Sequence, residues 1–144
     1  MDSQRLIRCL RVASADFFNV LFFKEQVMNL VKISAGPDGK SFFEDTPITL
    51  TDKGKFGRFS DLQVAPGFMF RESNADYASG WHVVPNPVYL IFLGGQVEIT
   101  VGTGEKRVFG AGSVVYADDM TGEGHSTRSI SSDPIRSILV NLPV

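Results

Sequence analysis

Residues 96–101, Gln-Val-Glu-Ile-Thr-Val, are the strongest constraint on what this chain can fold into. Val97, Ile99 and Val101 fall on one side, and Gln96, Glu98 and Thr100 on the other. That is the period of a strand with one buried face. A turn cluster, Gly-Thr-Gly-Glu-Lys-Arg at 102–107, follows at once and predicts a hairpin. The same rhythm runs on both sides of it. Ala-Gly-Pro-Asp-Gly-Lys at 35–40 is a turn, Ser41–Leu50 an extended stretch, and 51–61 a polar loop. Residues 62–71 and 88–93 read as strands. A turn at Gly110–Gly112 leads into another strand, and Ile135–Val144 closes the chain. Short strands, glycine-rich turns and no helical crossover predict an all-β sandwich or barrel.

The first residues follow a different pattern. Leu6, Ile7 and Leu10 stand at helical spacing within 4–12, which suits a short helix. Phe17–Phe23, FFNVLFF, is the greasiest run, and its period fits a helix or a strand. With Arg5, Arg8 and Arg11 upstream it imitates a targeting segment, but no small-residue cleavage site follows. The expected division is an extension over 1–32, packed on the barrel or on a partner subunit, and a barrel over 33–144. An apolar run of this kind calls for a cover, so a homodimer is expected.

Composition removes several function classes. Fourteen basic and sixteen acidic residues give a net charge of −2, with no basic stripe for nucleic acid. No run approaches the ~18 apolar residues of a membrane span. Cys9 is the single cysteine, which rules out an internal disulfide and fits a reducing, cytoplasmic setting. No glycine-rich loop opens a helix, so nucleotide binding has no support.

A family likeness then emerges from Trp81-His82, Leu93-Gly94-Gly95-Gln96-Val97-Glu98-Ile99, Gly102-Thr103-Gly104-Glu105, Phe109-Gly110-Ala111-Gly112 and Ala117-Asp118-Asp119-Met120-Thr121-Gly122-Glu123-Gly124-His125. Together these blocks resemble the cupin superfamily, and within it the small single-domain cupins, over roughly residues 33–142. The resemblance implies a double-stranded β-helix, the cupin jelly-roll barrel, with its site in the mouth. It also exposes departures. A metal-binding cupin offers His-x-His, then Glu or Gln, then a His in the second motif. Here His82 and His125 fill the first and last places, while Val84 and Val88 take the other two.

Three functional readings follow. The leading one is a lyase or isomerase, of dehydratase or cyclase type, without an essential redox metal or other cofactor. His82 would be the base, His125 the partner acid and Asp119 the orienting carboxylate. The second is a metal-dependent cupin oxygenase or lyase with one divalent transition metal on His82, His125 and Asp119, with Asp118 or Glu123 as further acidic candidates. The third is a non-catalytic ligand-binding module. Each histidine and Asp119 also has a plain structural reading, as a packing or turn residue. The expected cavity is apolar and suited to a small, largely apolar metabolite. Its expected walls are Trp81, Val84, Val88, Leu90 and Phe92, together with Phe68, Phe70 and Tyr116. Arg71 is either a plain surface arginine or a fork available to a substrate carboxylate. With Val88 inward, Tyr89 points away and is expected to pack between sheets.

Overall fold

The computed structural model describes residues 28–144; the helix expected at 4–12 and the apolar run at 17–23 lie outside the described residues. The chain forms β1 (Asn29–Ala35), β2 (Ser41–Pro47), β3 (Thr51–Asp52), β4 (Arg58–Phe59), β5 (Gly67–Ser73), β6 (Val88–Gly94), β7 (Gln96–Val101), β8 (Lys106–Gly110), β9 (Val114–Ala117), β10 (His125–Ser129) and β11 (Ile135–Asn141). One short helical turn, Gly54–Phe56, sits between β3 and β4. β1 begins before the boundary expected at residue 33 and pairs with both β2 and β9, so residues 29–32 are part of the barrel. Among the described residues no helix is long and apolar enough to cross a membrane.

Two sheets carry the architecture. One has six strands in the order β2-β1-β9-β6-β11-β5, and the other three in the order β10-β7-β8. β3 and β4 form a separate small hairpin. Most of the pairing is antiparallel; β1 against β9 is parallel. The order is far from sequential, because β9 and β11 return to flank β6. That wrapping makes a jelly roll rather than a meander.

The core lies between the two sheets. Val97, Ile99 and Val101 are fully buried, as the alternation of β7 predicts. They meet Val88 and Phe92 from β6, Val115 and Ala117 from β9, and Ile33 from β1. Phe109 stacks on Phe92 and tilts against Phe43, which closes one end. At about 25 cal/mol per Å² of apolar surface buried, this layer is the main stabilising term.

Two sequence expectations shift. The strand expected over 62–71 begins only at Gly67; Pro66 offers no N–H to a ladder, so the pairing starts after it. Met69 stands opposite Leu139, Arg71 opposite Ser137 and Ser73 opposite Ile135. This register turns Met69 and Arg71 toward the barrel interior and sends Phe68 and Phe70 outward.

Candidate active site

His82 and His125 are brought together by backbone pairing. The two residues form an isolated antiparallel bridge, and each amide donates to the other's carbonyl at 3.0 Å. Residues directly opposite in such a pair present side chains to the same face. The rings accordingly lie 4.7 Å apart between centroids, tilted by 57°. Gly124 makes the approach feasible. Its φ is +71°, and a Cβ there would overlap the His82 carbonyl. The glycine before His125 therefore has a steric reason to be a glycine.

The two imidazoles have different surroundings. His125 is buried, and its Nδ1 lies 2.6 Å from Asp119 Oδ2. With Asp119 as a carboxylate, an acceptor only, the imidazole donates its Nδ1–H and the tautomer is fixed. Asp119 is fully buried, and its Oδ1 has no hydrogen-bond partner among the described residues. Val84 N–H donates to the Asp119 carbonyl at 3.3 Å, which pins that turn to the first motif. His82 is exposed, and its Nδ1–H donates to Gly80 O at 3.1 Å. In both rings Nε2 is the nitrogen left for a ligand.

Ser41 holds the second motif from behind. Its buried hydroxyl donates to Gly124 O at 2.6 Å and accepts from Gly102 N–H at 2.8 Å. One side chain thus ties β2, the β7–β8 hairpin and the residue next to His125. No sequence motif points to it; a lone serine at the start of a strand looks like any other.

Both rings open onto a cavity of ≈330 Å³ inside the barrel, a volume suited to a small metabolite. Val84, Val88, Leu90 and Phe92 line it, as do Val97 and Ile99 from the facing sheet. Arg71, Tyr77, Ser137 and Asn141 supply polar groups. The fold is a jelly-roll barrel, as the sequence resemblance implies. Its two motif ends meet at the mouth, and the space between its sheets is the pocket.

Comparison with solved structures finds distant likenesses. They include the cupin domain of Cnp3 from Schizosaccharomyces pombe, at 14% identity over 83% of this chain and 89% of that one, TM-score 0.44. A conserved protein of unknown function from Streptococcus pyogenes has 17% identity over 59% and 71%, TM-score 0.41. An ethanolamine utilization protein Q from Salmonella typhimurium has 16% over 82% and 98%, TM-score 0.38. No protein-family profile and no curated protein matches the chain.

Four residues expected in the cavity lie elsewhere. Phe68 and Phe70 are 65% and 74% exposed and stack edge-on with each other on the outer side of β5. Trp81 is half exposed and does not line the cavity; it neighbours His82 in an extended segment, so its side chain leaves by the opposite face. Tyr116 sits between the inward Val115 and Ala117, and the same alternation carries it outward. There it packs against Tyr89, 5.0 Å between centroids, in a second, more open groove with Leu30, Phe59 and Leu62. Burial, and then Asp118, push its hydroxyl above the ordinary phenol range. Tyr89 is thus on the outer face as well, not between the sheets, and its hydroxyl donates to Gln63 at 2.7 Å.

The donor set does not fit the metal site that the cupin resemblance implies. Among the described residues no group of three or more His, Cys, Asp or Glu side chains converges closely enough to hold an ion. Val84 and Val88 stand in the cavity wall where ligands would be needed. Asp118 pairs with Lys32 at 3.2 Å, and Asp119 is engaged with His125.

Proposed function

We propose that this protein is a small-molecule lyase or isomerase, of dehydratase or cyclase type, that moves protons between His82 and His125. The observation that carries the reading is the asymmetric pair itself. One imidazole is buried and oriented by a carboxylate, the other is open to solvent, and both face one apolar cavity. Two proton-carrying groups in unlike surroundings are what an acid–base division of labour needs. His82 takes a proton from the substrate at Nε2. His125 enters the cycle as the imidazolium, its Nδ1–H held by Asp119, and gives its Nε2 proton to the departing or rearranging group; passage of the proton gained by His82 to His125 Nε2 then restores both rings. The net reaction then consumes no proton and no electron. Val84 and Val88 are buried in the wall of the cavity, and such apolar walls strengthen polar contacts made on its inner side.

The test is turnover across a set of apolar metabolites prone to dehydration or cyclisation, with wild type, His82→Ala and His125→Ala. Loss of a positioned acid or base lowers the rate by about 10²–10⁴-fold. Full turnover in either variant sinks the assignment. Saturable binding with no conversion of any bound compound makes the protein a ligand-binding cupin instead. Near-stoichiometric Fe, Mn, Ni or Zn in protein purified without chelator would sink the metal-free form of the reading.

A further inference from the structure

We infer that the cavity is a receptor for a single carboxylate group on an apolar body, and that Arg71 is the residue that binds it. The inference deepens the acid–base reading by naming its substrate class, and rests on that reading only for what happens after binding. Its ground is the charge inventory of the wall. Arg71 is the one Lys or Arg among the lining residues, and no Asp or Glu lines the cavity. Asp119 stands behind His125 rather than in the wall. The nearest acidic neighbour in sequence, Glu72, points to the outer face and pairs with Arg136 at 2.8 Å. The other groups in the cavity wall that can carry a positive charge are the two imidazoles.

The guanidinium is held as a receptor would be. Its Nε–H donates to Ser73 Oγ at 3.2 Å. Its Cζ lies over the Tyr77 ring, 4.7 Å from the centroid. These contacts hold the head group in place and leave both Nη groups without a protein partner among the described residues. A half-buried guanidinium left so is costly, because a cation withdrawn from water needs a counter-charge. A carboxylate offers matched, bidentate acceptance along the Nη edge. A ligand with two negative charges would find no second fixed cation in the wall. The remaining walls, Val84, Val88, Leu90 and Phe92, suit the apolar body of such an acid.

The probes are benzoate, phenylacetate and hexanoate, each against its neutral amide, titrated calorimetrically into the full chain at neutral pH. At least one acid should saturate and bind about tenfold or more tighter than its amide, the scale of one charge-assisted contact. Arg71→Met and Arg71→Gln should both erase that preference; Arg71→Lys should keep part of it, since it retains charge without the fork. Circular dichroism identifies a variant that has lost its fold, and the other neutral variant then carries the test. Failure of every acid to bind, or a preference that survives both neutral variants, overturns the inference. Arg71-dependent acid binding with no turnover of any compound removes the catalytic reading and leaves this one. His82-dependent turnover of a neutral substrate, with no acid binding, does the reverse.

Discussion

The two faces of the six-stranded sheet use the same strands and differ in almost everything else. On the inner face, Val88, Phe92, Val115 and Ala117 are buried, and Leu90 and Arg71 line the cavity. On the outer face, Phe68, Phe70 and Leu93 are exposed, and Tyr89 and Tyr116 wall an open groove. Hydrophobicity alone does not distinguish the two sets; the outer one is at least as aromatic. What separates them is the register of each strand against its neighbours, which decides the side to which each alternate residue goes.

Substitutions can break or sharpen that contrast. The largest effect is expected at Gly124. A methyl group there would meet the His82 carbonyl at a left-handed backbone position, so Gly124→Ala should cost about 4 kcal/mol or more in denaturant unfolding, a range few single changes reach. His125→Ala comes next, because it strands a buried Asp119 that already has one unpartnered oxygen. Breaking a buried pair in this way costs about 3–5 kcal/mol. His82→Ala, on the exposed side of the same pair, should stay within about 0.5 kcal/mol of wild type. Equal losses for the two histidines would contradict the asymmetry described here. Ile99→Ala in the inner layer should cost about 2–5 kcal/mol, whereas Phe70→Ser on the outer face should move stability by only about 0.5 kcal/mol. A Phe70→Ser loss as large as that of Ile99→Ala would mean that the outer face is buried in solution. A small, salt-dependent effect is expected at Arg107, whose surface pairs with Asp45 and Glu105 raise its pKa, led by the Glu105 hydrogen bond. Arg107→Ala should cost at most about 1 kcal/mol, less in high salt.

Much of the fold was legible in the sequence because strand alternation and glycine turns are local signals. The β7 pattern and the inward run Val88, Leu90, Phe92 both hold in the structure. The two histidines were legible for a different reason, as the ends of two recurring motifs. Alternation, however, says which residues share a face and not which face turns inward. Phe68 and Phe70 show this: they were expected in the cavity, yet Met69 and Arg71 turn inward, because β5 is an edge strand whose orientation is set by β11. Tyr116 was expected in the cavity and lies outside it, between the inward Val115 and Ala117. An aromatic hydroxyl looks like a site residue until the outer groove that holds it is seen. Ser41, Tyr77 and Asn141 carried no signal, since their roles depend on segments far away in the chain.

The reciprocal bond between His82 and His125 has a kinetic consequence. The ring spacing is carried by two backbone hydrogen bonds rather than by rotamers of long side chains, so the dyad is assembled or dismantled as one event. Opening of the segment around His82 exposes both amides together, at a rate set by local unfolding rather than by side-chain motion. A protein built this way keeps its reacting groups registered whenever the bridge is closed; when it opens, His125 stays held by Asp119 and by the pairing of β10 with β7, and what is lost is the register of His82 against it.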